Sequence, residues 1–356
     1  MGMGWFDDKR AYEGWLGDLR LAGRQLDLAP LDGKSVFVTG AGGLIGSCVA
    51  DMLLCLARDS GISLKVLLGA RRPERLRERF PYWEGAYEPV GYDAALPSLP
   101  EEPLALVVHC ASNAHPKAYS EQPVETAMAN VLGTSNLLAK LARDGAGRMV
   151  YVSSSEVYGR RASAEPYREG DCFPVDSLDP RSCYPASKRL AENLCASYAA
   201  EYDVDCVVVR PGHVYGPTQT GGDDRAHAQF AREAAAGRPV VMKSAGAQFR
   251  SYCYVADCAS AMLSVALRGA SGEAYNIANS ESDCTIAELA SAFAAAGGVP
   301  LVRAEASAEE RRGYARMDNS VLDSSKLRSV GWTGAFDLEL GVQRTVDCLR
   351  ASRLGG

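Results

Sequence analysis

No run of apolar residues in this chain approaches the roughly 18 that a membrane span requires. A membrane is therefore not expected as a partner. There is no dense basic patch either: 38 Lys and Arg stand against 44 Asp and Glu, for a net charge of −6. Nucleic acid is not expected, because neutralising phosphates needs clustered Lys and Arg. The eleven cysteines show no CxxC and no paired Cys/His spacing, so no zinc or other metal site is expected. A disulfide framework is not expected in a chain of this size, and single thiols of this kind suit burial in a reducing cytosol. The start, MGMGWFDDKRAYEGW, is charged and aromatic, unlike a secretory signal. These features together point to a cytoplasmic protein. Internal repeats and low-complexity segments are also lacking.

What is present reads as a globular α/β protein. Apolar residues make up 47% and charged residues 23% of 356 residues, a length that suits two lobes. Residues 5–22 read as an amphipathic helix within an N-terminal extension, 1–32. Strands are expected at 34–39, 64–68, 104–109, 148–153 and 205–210, with helices after the first and near 123–143. Each strand is continuously apolar rather than alternating, the pattern of a parallel sheet covered on both faces. The expected division is a parallel-sheet domain over 33–210, with about 250–278 returning to it, and a second lobe formed mainly by 211–356. Tyr252–Val255 and Ala274–Ala278 are the segments expected to return.

The residues 38–47, VTGAGGLIGS, place glycines at Gly40, Gly43 and Gly46 between a strand and a helix. Such a loop lets backbone approach a pyrophosphate seated on a helix N-terminus. The next strand ends in Ala70, Arg71 and Arg72, where an NAD site usually has an acidic residue for the ribose. Arginine can pair with a 2′-phosphate, so NADP is an open alternative to NAD; the bland alternative is two solvated arginines. Asp93 could meet the adenine edge. Tyr184 and Lys188, four apart, share a helix face. A tyrosine titrates at about 10 and is a poor base at pH 7. A neighbouring ammonium and a positive nicotinamide ring would favour its phenolate. Ser154, at a strand end in YVSSSEVYG, could bond the substrate oxygen being oxidised.

TGAGGLIG, HCAS, SSSEVYG, YPASK and RPGHVYGP, in this order and spacing, make the chain resemble the extended short-chain dehydrogenase/reductases of the NAD-dependent epimerase/dehydratase family. The resemblance spans about residues 33–345. It implies a Rossmann-type doubly wound parallel sheet with a smaller mixed C-terminal substrate lobe. It also implies a bound NAD or NADP and a nucleotide diphosphate sugar oxidised at carbon 4. By the same resemblance, the catalytic residues are Ser154, Glu156, Tyr184 and Lys188. Gly40, Gly43, Leu44, Ile45, Gly46, Arg71, Arg72, Asp93, Ala111, Ser112, Pro211 and His213 would bind the cofactor, with Tyr184 and Lys188. Ser155, His213, Arg225 and Arg250 would bind substrate, and Asn130 would support the active-site helix. A homodimer would form through the Tyr184 helix and the 123–143 helix.

HCASNAHPKAY, SSSEVYG and PRSCYPASKR look most like UDP-glucuronate decarboxylases, and a serine-glutamate arrangement also occurs in GDP-mannose 4,6-dehydratases. dTDP-glucose 4,6-dehydratases carry an aspartate where this chain has Ser155, a much weaker acid. His213 and Thr218 depart from the Asn and Arg of many relatives and are expected to touch the substrate pocket. Glu156 suits proton chemistry at carbon 5 and so favours a lyase. A 4-epimerase, an NADPH-dependent reductase and a non-catalytic dinucleotide sensor are the alternatives.

Overall fold

The structure, a computed structural model, describes residues 9–161, 163–305 and 319–352, with side chains from Tyr12 onward. Among these residues, seven parallel strands form the main sheet. They are β1 (Ser35–Thr39), β2 (Lys65–Ala70), β3 (Glu88–Gly91), β4 (Leu106–His109), β5 (Arg148–Val152), β6 (Asp205–Pro211) and β10 (Ala274–Ile277), in the order β10-β6-β5-β4-β1-β2-β3. The order runs outward in both directions from the β1–β4 pair. That topological switch point is where doubly wound sheets open a crevice at the carboxyl ends of their strands.

Alternation along each strand feeds two cores. Val36, Val38, Leu68, Val108 and Val150 face one way, against the helices Leu44–Ser60 and Val255–Arg268. Phe37, Leu67, Val107, Met149 and Tyr151 face the other, toward Pro123–Asp144 and Cys183–Tyr202. Each such side chain, fully buried, contributes about 1.5–3 kcal/mol. This is the parallel sheet covered on both faces that the continuous apolar strands imply, and the Rossmann-type architecture that the family resemblance implies.

A smaller mixed sheet is built around β9 (Phe249–Tyr254). It pairs in parallel with β7 (His213–Tyr215) and β13 (Asn319–Ser320), and antiparallel with β11 (Asp283–Thr285). A separate parallel pair joins β8 (Val240–Met242) to β12 (Leu301–Arg303). Tyr252–Tyr254, expected to return to the first lobe with Val255, pair through their backbone with β7 in the small sheet. The following helix and β10 are what rejoin the large sheet. The N-terminal helix runs Lys9–Gly23, and the part expected over residues 5–8 lies outside the described residues. No helix among the described residues is long and apolar enough to cross a membrane.

Candidate active site

β1 ends at Thr39 and the chain turns at Gly40, whose φ of +65° is left-handed and favours glycine. A Cβ at Gly40 would lie 2.8 Å from the Ala111 amide nitrogen, and one at Gly46 would lie 2.4 Å from the Gly40 carbonyl oxygen. The loop therefore packs backbone on backbone. The Gly43 N–H closes it onto the Gly40 carbonyl at 2.9 Å. The helix from Leu44 and Ile45 starts with no side-chain cap, so its first amides remain available to an anion. These features fit a dinucleotide pyrophosphate. Thr39 Oγ1 accepts from the Ala111 amide, and the Ser112 hydroxyl donates to Asn130. Asn130 in turn donates to Ser187 on the Tyr184 helix at 2.9 Å. Arg71 and Arg72 are both exposed beyond β2, and the Asp93 carboxylate accepts from the Ala95 amide.

β5 delivers the catalytic candidates. Ser154 leaves the strand extended, and its hydroxyl accepts from the Glu156 amide at 3.2 Å, which starts the short turn Ser155–Tyr158. Ser155 is buried in that turn. The helix Cys183–Tyr202 places Pro185 in its first turn and carries Tyr184 and Lys188 inward, 5% and 2% exposed. The Lys188 ammonium donates to the Val152 carbonyl at 2.7 Å and lies 5.8 Å from the centre of the Tyr184 ring. Burial brings the Lys188 ammonium down to about 8.

The Tyr184 phenol is pushed up to about 12, first by burial and then by the negative charge of Glu156. The nearby Ser154 and Tyr119 hydroxyls and the Arg225 charge act in the opposite direction. Desolvation and a carboxylate dominate in this state, and the groups that lower the phenol most are Ser154, Tyr119 and Arg225 rather than the Lys188 ammonium expected to favour the phenolate. Glu156 accepts from Arg181 at 2.9 Å.

Further out, Arg225 makes a paired contact with Asp223, with one Nε–Oδ1 bond of 2.9 Å. Arg250 is 2% exposed on β9, two residues before Tyr252. His213, beyond Pro211 at the end of β6, packs on Tyr252 with ring centres 5.4 Å apart. Burial, followed by Arg250, His227 and Arg225, holds its imidazole well below the usual range. Thr218, expected at the substrate pocket, is fully buried and donates to the Leu44 carbonyl at 2.7 Å, so it ties this loop to the glycine loop instead.

Ser154, Glu156, Tyr184 and Lys188 come together. Arg225 and Arg250 lie near enough to His213 for their charges to act on its ring. Arg71, Arg72 and Asp93 sit apart, at the β2–β3 edge. Three site residues escape the sequence reading. Tyr119, in the HPKAY stretch, stacks on Tyr184 with ring centres 4.5 Å apart. Arg181, in PRSCYPASK, holds Glu156. His227 sits in the first turn of the helix Ala226–Ala235 beside Arg225, and burial lowers its imidazole to about 3.

All eleven cysteines are free thiols, and Cys172 is the one that is exposed. Among the described residues no cluster of His, Cys, Asp and Glu could hold a metal ion.

The comparisons with known proteins agree with this geometry. The family model "NAD dependent epimerase/dehydratase family" matches residues 36–278. UDP-glucuronic acid decarboxylase 1 of Xenopus tropicalis is 27% identical over 91% of this chain and 74% of its own length. UDP-glucuronic acid decarboxylase 6 of Arabidopsis thaliana is 30% identical over 72% of each chain. Among solved structures, the UDP-glucose 4-epimerase of Thermus thermophilus in complex with NAD superposes with a TM-score of 0.74 and 29% identity. That match covers 89% of this chain and 99% of the other. The expected nicotinamide dinucleotide cofactor agrees with this family match, and the chain belongs to the NAD dependent epimerase/dehydratase family.

Proposed function

We propose that this chain modifies the sugar of a nucleotide diphosphate sugar through a 4-keto intermediate, as a lyase of the UDP-glucuronate decarboxylase type. The observation that carries this reading is Glu156, a carboxylate within electrostatic reach of Tyr184 and bonded through its amide to the Ser154 hydroxyl. A bound NAD or NADP would supply the hydride acceptor for carbon 4 and the source of its later return. Tyr184 takes the carbon-4 hydroxyl proton, Ser154 bonds the same oxygen, and Lys188 supports the phenolate and the ribose. Glu156 handles a proton near carbon 5 once the ketone acidifies it. Arg225, Arg250 and His213 hold the diphosphate. Gly40, Gly43, Leu44, Ile45 and Gly46 hold the cofactor pyrophosphate, flanked by Ala111, Ser112 and Pro211. The exposed guanidiniums of Arg71 and Arg72 would tolerate a 2′-phosphate.

The decarboxylase relatives support this reading. Dehydration, in which Glu156 takes the carbon-5 proton and the carbon-6 hydroxyl leaves as water, is the variant within it. The Thermus relative favours a second reading, a 4-epimerase, in which Ser154, Tyr184 and Lys188 would suffice. The two lobes divide near residue 211, with 255–277 returning to the first. The eleven free thiols support a reducing, cytoplasmic setting. The helices Pro123–Asp144 and Cys183–Tyr202 would form a homodimer.

The test is incubation with a panel of nucleotide sugars, read by mass spectrometry. Loss of carbon dioxide marks decarboxylation, loss of water marks dehydration, and unchanged mass with altered retention marks epimerisation. Glu156→Gln should abolish both lyase outcomes while carbon-4 oxidation remains detectable. Full lyase turnover by that variant would remove Glu156 from the mechanism.

A further inference from the structure

Tyr119 is a second phenol in the site, for which the proposed reaction has no use. It sits on the short helix Pro116–Glu121 and is 4% exposed. Its ring stacks on that of Tyr184, with centres 4.5 Å apart and planes 21° from parallel. The Arg181 guanidinium carbon lies 5.4 Å from the Tyr119 ring centre. The same guanidinium donates to Glu156 at 2.9 Å. Glu156, Arg181, Tyr119 and Tyr184 thus form one continuous chain of contacts, from carboxylate to cation to ring to ring.

Resting on the 4-keto reading above, we propose that Tyr119 is a positioning residue for the base. Its ring fixes the plane of Tyr184, its hydroxyl bonds the Tyr184 phenol, and Arg181 joins it to Glu156. The physical need is clear. A phenol this buried resists ionising, and the Glu156 charge opposes it further. A hydrogen bond from a second hydroxyl stabilises the phenolate, and a cation held at Glu156 offsets the opposing charge. The groups facing Tyr184 are Glu156 and Ser154 from the β5 end, Tyr119 from its short helix, Arg225 from the small lobe, Lys188 from its own helix and Tyr151 from β5.

The test is direct titration of the Tyr184 phenol in the NAD-loaded protein. Tyrosine ring carbons are labelled, and the resonance is assigned by its loss in Tyr184→Phe. Tyr119→Phe keeps the stack and removes one hydroxyl, and should raise the Tyr184 midpoint by about half to one pH unit. Arg181→Gln keeps Tyr119 and uncovers the Glu156 charge, and should raise it as well. An unchanged midpoint in Tyr119→Phe, with NAD still bound, overturns the proposal. Turnover supplies the second readout: the acid limb of kcat/KM should move to higher pH by the same interval. Failure of the wild type to turn over any nucleotide sugar would sink the functional reading, while the titration still decides the role of Tyr119.

Discussion

Lys188 is 2% exposed, with its ammonium against the Val152 carbonyl and 4.9 Å from the centre of the Tyr151 ring. Burial lowers it from 10.5 to about 8. Between those values the unfolded chain binds more protons, so this residue's contribution to stability rises with pH from about 8 to about 10.5. Below that window the folded state carries the full cost of a buried cation. Lys188→Met should therefore stabilise the fold at pH 7, by about 2 kcal/mol once the lost Val152 bond is deducted. Its turnover should fall by about 10²–10⁴-fold. Thermal melts at pH 7 and pH 10 check this, because the gain should shrink at the higher pH. A variant less stable than wild type at pH 7 would contradict it. The Tyr184–Lys188 pair is legible in the sequence, since four-residue spacing on a helix is local geometry. Arg181 and Tyr119 are not, because their roles follow from tertiary contacts with Glu156 and Tyr184 that no spacing encodes.

The glycine loop is an element whose residues divide by what surrounds each Cα. Gly46→Ala would drive a methyl to 2.4 Å from the Gly40 carbonyl, a backbone atom that cannot swing away. Gly42 has nothing within 4 Å of such a methyl and no positive φ. Gly42→Ala should therefore bind the dinucleotide like wild type, whereas Gly46→Ala should bind it at least about tenfold more weakly, a loss of about 1.4 kcal/mol. Fluorescence titration with NAD distinguishes them, and equal affinities would overturn the assignment of this loop. The strand-loop-helix succession here is readable because a continuous apolar strand and a glycine triplet are both local signals. β3 is not readable. Its four residues, EPVG, include a proline and are mostly exposed at the sheet edge, so they lack the apolar run that marks the other strands. Tyr252–Tyr254 mislead for a related reason: an apolar strand shows that it is buried, but not which sheet it joins.

At the scale of the molecule, two surfaces of the large lobe behave differently. The N-terminal helix covers one of them. Trp15, Leu16 and Leu19 are fully buried, Trp15 donates to Asp51 on the glycine-loop helix at 3.0 Å, and Asp18 accepts from Tyr254 and Arg344. The other surface is the outer face of the helices Pro123–Asp144 and Cys183–Tyr202, which pack on each other. It leaves Val124 67%, Met128 45% and Leu190 48% exposed. Val124 and Met128 are four apart and so share one face, an apolar stripe at helical spacing that solvent does not favour. In a two-fold dimer each such residue meets the same surface of its copy. Met128→Glu would then bring a carboxylate into the apolar centre of both halves at once. The wild type should sediment as a dimer at micromolar concentration and Met128→Glu as a monomer, with the thermal midpoint of the isolated fold little changed because Met128 lies outside both cores. A monomeric wild type would show that this face is not the dimer interface. A dimeric Met128→Glu would place the interface elsewhere on the surface.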